Sequence, residues 1–175
     1  MRGLQSNARL VPCGYFRRLT ITRNLVLSFV SSPPYVSTNR AAMAYWILKT
    51  EPSTYSFDRL VGERTARWDG VTNPVALKNI RAMQPGDELM IYHTGDEKAV
   101  VGLATVASAP YPDPGDAKLA VVDIVAGKAL PRPVTLGEIR KEAALQDLAL
   151  VRMPRLSVVP ATDAQWRKLL QMSKV

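Results

Sequence analysis

From Met43 to the C-terminus the sequence predicts an α+β domain, a small curled β-sheet or barrel with short helices filling its gaps. Three observations carry that prediction. Short apolar, β-branched or aromatic runs recur at 45–50, 88–93, 100–109, 119–125 and 156–159, punctuated by Gly- and Pro-containing turns. Helix-start signatures lie among them: Ser56, Asn73-Pro74, Thr135 with Glu138, and Thr162 with Gln165. The chain of 175 residues, 47% apolar and 22% charged, has the size and balance of one globular domain.

Tyr45 to Thr50 is aromatic and aliphatic, is bounded by Pro52, and reads as the first strand. A short helix follows over 55–61, capped by Ser56 and closed by Gly62. Arg67-Trp68-Asp69-Gly70-Val71-Thr72 reads as a compact loop or short strand. Asn73 then caps a helix whose first residue, Pro74, has no N–H to leave unpaired. Val75, Leu77, Ile80 and Met83 form its apolar side, and Pro85-Gly86-Asp87 ends it.

The strands 88–93 and 100–109 are joined by the hairpin link Thr94-Gly95-Asp96-Glu97-Lys98. The link 110–116, with Pro110, Pro112 and Pro114, reads as too proline-rich to pair, and 119–125 reads as the third of these strands. The capping box at Thr135 opens a helix through about Ala144. A last strand spans 156–159, and Thr162 caps a final helix carrying Trp166, Leu169 and Leu170.

Composition excludes several functions. No window approaches the roughly 18 consecutive apolar residues of a membrane span. With one cysteine, Cys13, and one histidine, His93, there is no disulfide scaffold, no Cys/His zinc site and no Cys–His nucleophile system within 43–175. No Gly-rich nucleotide fingerprint is present, and no cofactor is expected. The net charge of +8 suggests a nucleic-acid binder, but its distribution corrects the impression. Arg2, Arg9, Arg17, Arg18, Arg23 and Arg40 precede Met43 with no acidic residue among them. From Met43 onward, 17 basic residues face all 15 acidic ones, a net of only +2. That part of the chain does not hold a partner by bulk charge alone.

Residues 1–42 are expected to be an unstructured N-terminal extension. Two readings stay open: translated sequence upstream of a true start at Met43, or an Arg- and Ser-rich, acid-free transit segment. The apolar stretch 24–30 is too short and broken for a secretory signal. The first reading leaves a cytoplasmic protein, the second a mitochondrial one.

Candidate chemistry gathers at element ends. Lys49-Thr50-Glu51 places three hydrogen-bonding side chains where an apolar strand stops. Trp68-Asp69-Gly70-Val71-Thr72-Asn73 joins a tryptophan to a glycine loop and a helix start, and Tyr92-His93-Thr94-Gly95 places polar groups where a strand meets its turn. Taken singly, each also fits a plain strand end, a core tryptophan with an N-cap, and a hairpin. His93 is a candidate lone general base, with Asp69, Asp87 or Glu51 as its partner.

In order along the chain, Tyr45-Trp46-Ile47-Leu48-Lys49-Thr50-Glu51-Pro52, Tyr55-Ser56, Trp68 to Asn73, Met83-Gln84-Pro85-Gly86-Asp87, Tyr92-His93-Thr94 and Val101-Gly102-Leu103-Ala104 resemble the EVE domain family. The resemblance runs from Met43 to near the C-terminus. It implies a PUA-like fold, a small β-barrel with flanking helices related to the YTH readers, and a non-catalytic reader of a modified base in DNA or RNA, modified cytosine above all. It further implies a base-binding pocket built from Lys49, Thr50, Glu51, Trp68, Asp69, Gly70, Val71 and Asn73, closed by Tyr92, His93 and Thr94, with no metal. The family's common loop has Arg where this chain has Thr72; the form Gly70-Val71-Thr72-Asn73-Pro74 matches a bacterial subgroup, so the Arg role does not transfer. Two other readings remain beside this one: a pocket for a free nucleotide-like metabolite, and an enzyme acting on a base through His93.

Overall fold

The computed structural model describes residues 43–174, so the expectations for 1–42 lie outside the described residues. Among the described residues seven strands, five α-helices and one 3-10 turn follow in order: β1 Tyr45–Thr50, α1 Phe57–Glu63, β2 Thr65–Trp68, α2 Pro74–Ala82, β3 Glu88–His93, β4 Ala99–Val106, β5 Tyr111–Pro112, β6 Ala120–Thr135, α3 Leu136–Lys141, a 3-10 turn Ala143–Leu145, α4 Ala149–Arg152, β7 Val158–Ala161 and α5 Asp163–Met172. The strands form a sheet in the order β2-β6-β4-β3-β1-β7, with β5 added to β6. Among the described strands only β1 and β3 pair in parallel, and their register sets Lys49 beside Tyr92 and Thr50 beside His93.

The caps form where the sequence predicts them. Ser56 accepts from the Arg59 N–H, Asn73 accepts from Val75 and Ala76, and both capping boxes close on Glu138 and Gln165. The apolar faces then bury against the sheet: Leu77, Ile80 and Met83 from α2 and its cap, Trp166 and Leu169 from α5. Val75 departs from expectation at 47% exposed: it stands on the outward side of the first turn, whose Ala76 and Leu77 are buried.

Several boundaries differ for local physical reasons. Gly62 sits inside α1, and Arg64, at φ +64°, makes the turn expected of the glycine. Tyr111 and Pro112 do pair, with Val121 and Ala120 on β6. A proline at a sheet edge withdraws no needed donor, and the Tyr111 hydroxyl is anchored by a 2.7 Å bond to Asp123. The strand expected over 119–125 continues to Thr135 through Pro131 and Pro133, and β4 meets it with register shifts around Gly102. Such irregularities let prolines stand in a strand. The helix expected to reach Ala144 stops at Lys141 because Glu142 is extended, at φ −84° and ψ 115°, and a 3-10 turn follows. The short α4 has no sequence signature, and the last strand lies two residues later than expected, at 158–161.

The α+β class is as expected, but the ring of hydrogen bonds is open: β2 and β7 end the sheet and do not pair with each other among the described residues. Side-chain ties hold the curl. Buried Asp87 accepts from the Ala44 N–H at 3.1 Å, the Trp46 indole at 2.9 Å and the Gln84 N–H at 3.0 Å, pinning the start of β1 to the turn before β3.

Gly102 on β4 lies against the ring of Phe57, whose Cζ would be 2.2 Å from an added Cβ. Phe57 is fully enclosed, so the ring has nowhere to retreat. Gly102→Ala is expected to lower unfolding stability by about 1–3 kcal/mol through overpacking, read as a drop in the urea midpoint, with Phe57→Leu restoring part of it. An unchanged midpoint would show that this ring is not clamped against β4.

Candidate functional site

The curl of the sheet brings the two sides of its open seam together. Lys49 and Thr50 from the end of β1, Thr65 to Trp68 from β2, the loop 69–71, Thr54 and Tyr55 from the β1–α1 loop, Glu63, and Ser157 just before β7 enclose a cleft of about 630 Å³. β1 and β2 are far apart in the strand order, so curvature alone unites them. Six of the eleven expected site residues line this cleft: Lys49, Thr50, Trp68, Asp69, Gly70 and Val71.

Its aromatic wall is made of two rings. Trp68 is buried in the core and meets Tyr55 edge to face, with centroids 6.4 Å apart. Tyr55 is half-buried and offers the more accessible ring. Its hydroxyl donates to Glu63 at 2.8 Å, and Arg59 both pairs with Glu63 at 2.9 Å and lies over the Tyr55 ring at 5.1 Å. Burial, followed by the bond to Glu63, pushes the Tyr55 phenol up to about 12. On the polar side, Arg67 reaches Asp69 at 3.3 Å, and Lys49 donates its ammonium to the Pro154 carbonyl. Burial lowers the Lys49 pKa. The cleft thus carries two basic and two acidic side chains, Lys49 and Arg67 against Glu63 and Asp69.

The remaining five expected residues are engaged elsewhere. Asn73 caps α2 with its carbonyl oxygen and faces a separate hollow near Met153. Glu51 accepts from the Thr94 hydroxyl at 2.7 Å, while the Thr94 N–H donates to the Thr50 carbonyl at 2.8 Å. His93 is buried; its Nε2 accepts the Phe57 N–H at 2.9 Å, and Nδ1 lies 2.5 Å from Glu97. That network assigns the ring proton to Nδ1 and leaves neither nitrogen for a substrate. Asp69 and Asp87 lie with other partners, so the His93 pairings expected for catalysis do not form. Tyr92 and Thr94 line a neighbouring cleft that shares Lys49 with the first.

Sequence reasoning missed Tyr55, Glu63, Arg67 and Ser157 as lining residues. Tyr55 stood within a quoted motif, and Arg67 directly before Trp68. Glu63 and Ser157 carried no signal: Glu63 joins the cleft through its bond to Tyr55, and only the curl brings Ser157 there. Among the described residues no His, Cys, Asp and Glu group could hold a metal ion, and no helix is long and apolar enough to cross a membrane.

A small α+β domain with an aromatic and polar cleft in the seam of its curled sheet is the class that fold and site define. The chain belongs to the EVE domain family, whose profile matches residues 44–172. It is similar to thymocyte nuclear protein 1 of Mus musculus, with 26% identity over 166 residues covering 74% of each chain. Among solved structures it is similar to a Rhodopseudomonas palustris protein determined by NMR, at 40% identity and a TM-score of 0.73, covering 75% of this chain and 94% of that one. Human THYN1, solved in complex with DNA containing 5-methylcytosine, shares the fold at 23% identity and a TM-score of 0.70, over 75% of this chain and 98% of that one.

A raised phenol keeps its proton in the folded state, so its stabilising share is present below the ordinary value of 10 and is lost as pH rises towards about 12. Alkaline titration followed by phenolate absorbance should show the described tyrosines Tyr45, Tyr55, Tyr92 and Tyr111 ionising late, and Tyr55→Phe should remove one of those steps, the one near 12. Glu63→Gln should move that step back towards 10. A Tyr55→Phe titration identical to the parent's would mean that the Tyr55–Glu63 bond does not persist in solution.

Proposed function

We propose that this protein is a non-catalytic reader of a modified nucleobase, modified cytosine in the first instance, taken out of its stack and held in the seam cleft. The observation that carries the reading is the cleft itself: an aromatic wall facing balanced polar groups, within the fold that human THYN1 presents to 5-methylcytosine DNA. Reading a base edge requires extrusion, which costs a few kcal/mol, and stacking on an aromatic side chain returns about 1–3 kcal/mol.

Tyr55 is the ring placed to stack, since Trp68 belongs to the core and supports Tyr55 edge-on. Asp69 is the acceptor suited to a cytosine amino group. That contact selects cytosine over thymine or uracil, which carry a carbonyl oxygen at the same position, whereas a 5-methyl group adds apolar area to be covered by the Ala66 and Val71 lining. The engagement of both His93 nitrogens supports a binding role over catalysis.

Titration calorimetry of the full chain with matched DNA and RNA oligonucleotides, carrying plain cytosine, 5-methylcytosine, 5-hydroxymethylcytosine or N6-methyladenine, tests the reading. A preference for one modified base of about tenfold, 1.4 kcal/mol, is expected. Equal, weak and salt-sensitive binding to all would overturn it in favour of a free metabolite.

Tyr55→Ala should reduce binding of the preferred strand by about tenfold or more while the domain stays folded, as judged by its thermal transition. Trp68→Ala should instead cost about 3–5 kcal/mol of stability, as expected for an enclosed core ring. A stable Trp68→Ala variant that alone loses base binding would exchange the two roles.

A further inference from the structure

We propose that the cleft adjoining the first one is a phosphodiester subsite, holding a backbone phosphate of the strand whose base occupies the seam. This rests on the base-reader proposal and extends it to a second contact. The cleft encloses about 320 Å³ between the β3–β4 hairpin, α3 and the segment after α4, and Lys49 lines it together with the first.

The two clefts differ in charge. The first balances its cations with carboxylates, which suits a neutral base. The second is lined by Lys49, Lys98 and Arg140 with no acidic side chain. The carboxylates attached to its rim are engaged: Glu51 accepts from Thr94, and Glu97 lies against His93. Lys98 and Arg140 form no ion pair among the described residues. The floor includes the ring of Tyr92, with the Lys49 ammonium 6.0 Å from its centroid. The Thr94 hydroxyl, also on the lining, already donates to Glu51, so the cations are what this cleft offers an incoming group.

Lys98 is moreover held in place by its backbone. It adopts φ +43°, a conformation that a side chain rarely takes, and its carbonyl accepts the Leu136 N–H at 2.7 Å. With the Lys49 ammonium given to the Pro154 carbonyl, Lys98 and Arg140 are the cations left for an anion, and the apolar floor of Tyr92, Leu136 and Leu150 suits one flanked by sugars, as a phosphodiester is. Phosphate contacts position a strand without reading its sequence, so this subsite supplies affinity and register while the first cleft supplies selection.

The test uses the full chain, a DNA strand with one 5-methylcytosine, and the same strand with cytosine, over a salt series. In the double variant Lys98→Gln/Arg140→Gln, both strands should weaken by the same factor. The slope of log K against log salt should become shallower by about 1. Lys98→Gly, which relieves the positive φ, repeats the measurement without the backbone penalty.

An unchanged slope, with the preference for the modified strand intact, would overturn the subsite and leave the reader standing. A parent chain without preference, whose slope still drops in the variant, would overturn the reader and keep the phosphate contact. Inorganic phosphate titrated alone separates the sources. Its binding to the parent but not the variant, with strand affinity unmoved, would assign the cleft to a free phosphate and overturn the proposal.

Discussion

The sheet of this domain stops short of closure, and most of the molecule's chemistry follows from that gap. β2 and β7 end the strand order, yet curvature brings β2 opposite the end of β1. Backbone pairing would have sealed the seam; what occupies it instead is the loop after β1 and the side chains that line the cleft. The ties that fix the neighbouring elements lie away from that opening. Asp87 fixes the start of β1 through three donors, and His93 fixes the start of α1 through the Phe57 N–H. Neither tie crosses the seam, so the curl is maintained without filling the space it creates.

The polar residues at the strand ends divide into those that face the cleft and those that build it. Thr50 shows both uses, lining the cleft while its hydroxyl donates to the Tyr55 carbonyl at 2.8 Å. That bond sets the backbone of the residue whose ring forms the accessible wall. Glu51 and Thr94 join the same loop to the β3–β4 hairpin, and His93 with Glu97 anchors the hairpin beneath it. Substitution at any of them would disturb Tyr55 through the loop. A binding defect in such a variant would therefore report positioning as readily as contact.

Much of this architecture was legible because caps and strand runs are local. Ser56, Asn73, Thr135 and Thr162 announce their helices through side chains that bond two or three residues away, and all four do so. β6 was legible only in part, because Pro131 and Pro133 look like strand breakers until the displaced register beside Gly102 accommodates them. The site divided in the same way. Trp68, Asp69, Gly70 and Val71 are contiguous and could be named together, whereas Ser157 reaches the cleft only through the curl of the sheet and Glu63 through a side-chain bond to Tyr55. His93, expected to close the base pocket, is engaged elsewhere for a related reason: the amide its Nε2 accepts lies 36 residues earlier, a pairing the local sequence does not display.

Charge placement completes the picture. A net of +2 from Met43 onward is too small for a surface that grips nucleic acid everywhere, and the cations are not spread evenly. In the seam cleft they are balanced by Glu63 and Asp69; next door they are not. On the proposed function, the extrusion cost of a few kcal/mol is of the same size as one stacking interaction, which would leave little net affinity from the base alone. A reader built this way needs a second source of binding that is indifferent to sequence and close enough to act on the same nucleotide. Lys49, common to both clefts, lies where such a contact would have to begin. Its ammonium is already drawn from water onto the Pro154 carbonyl, so a phosphate arriving there would meet a charge whose desolvation is partly complete.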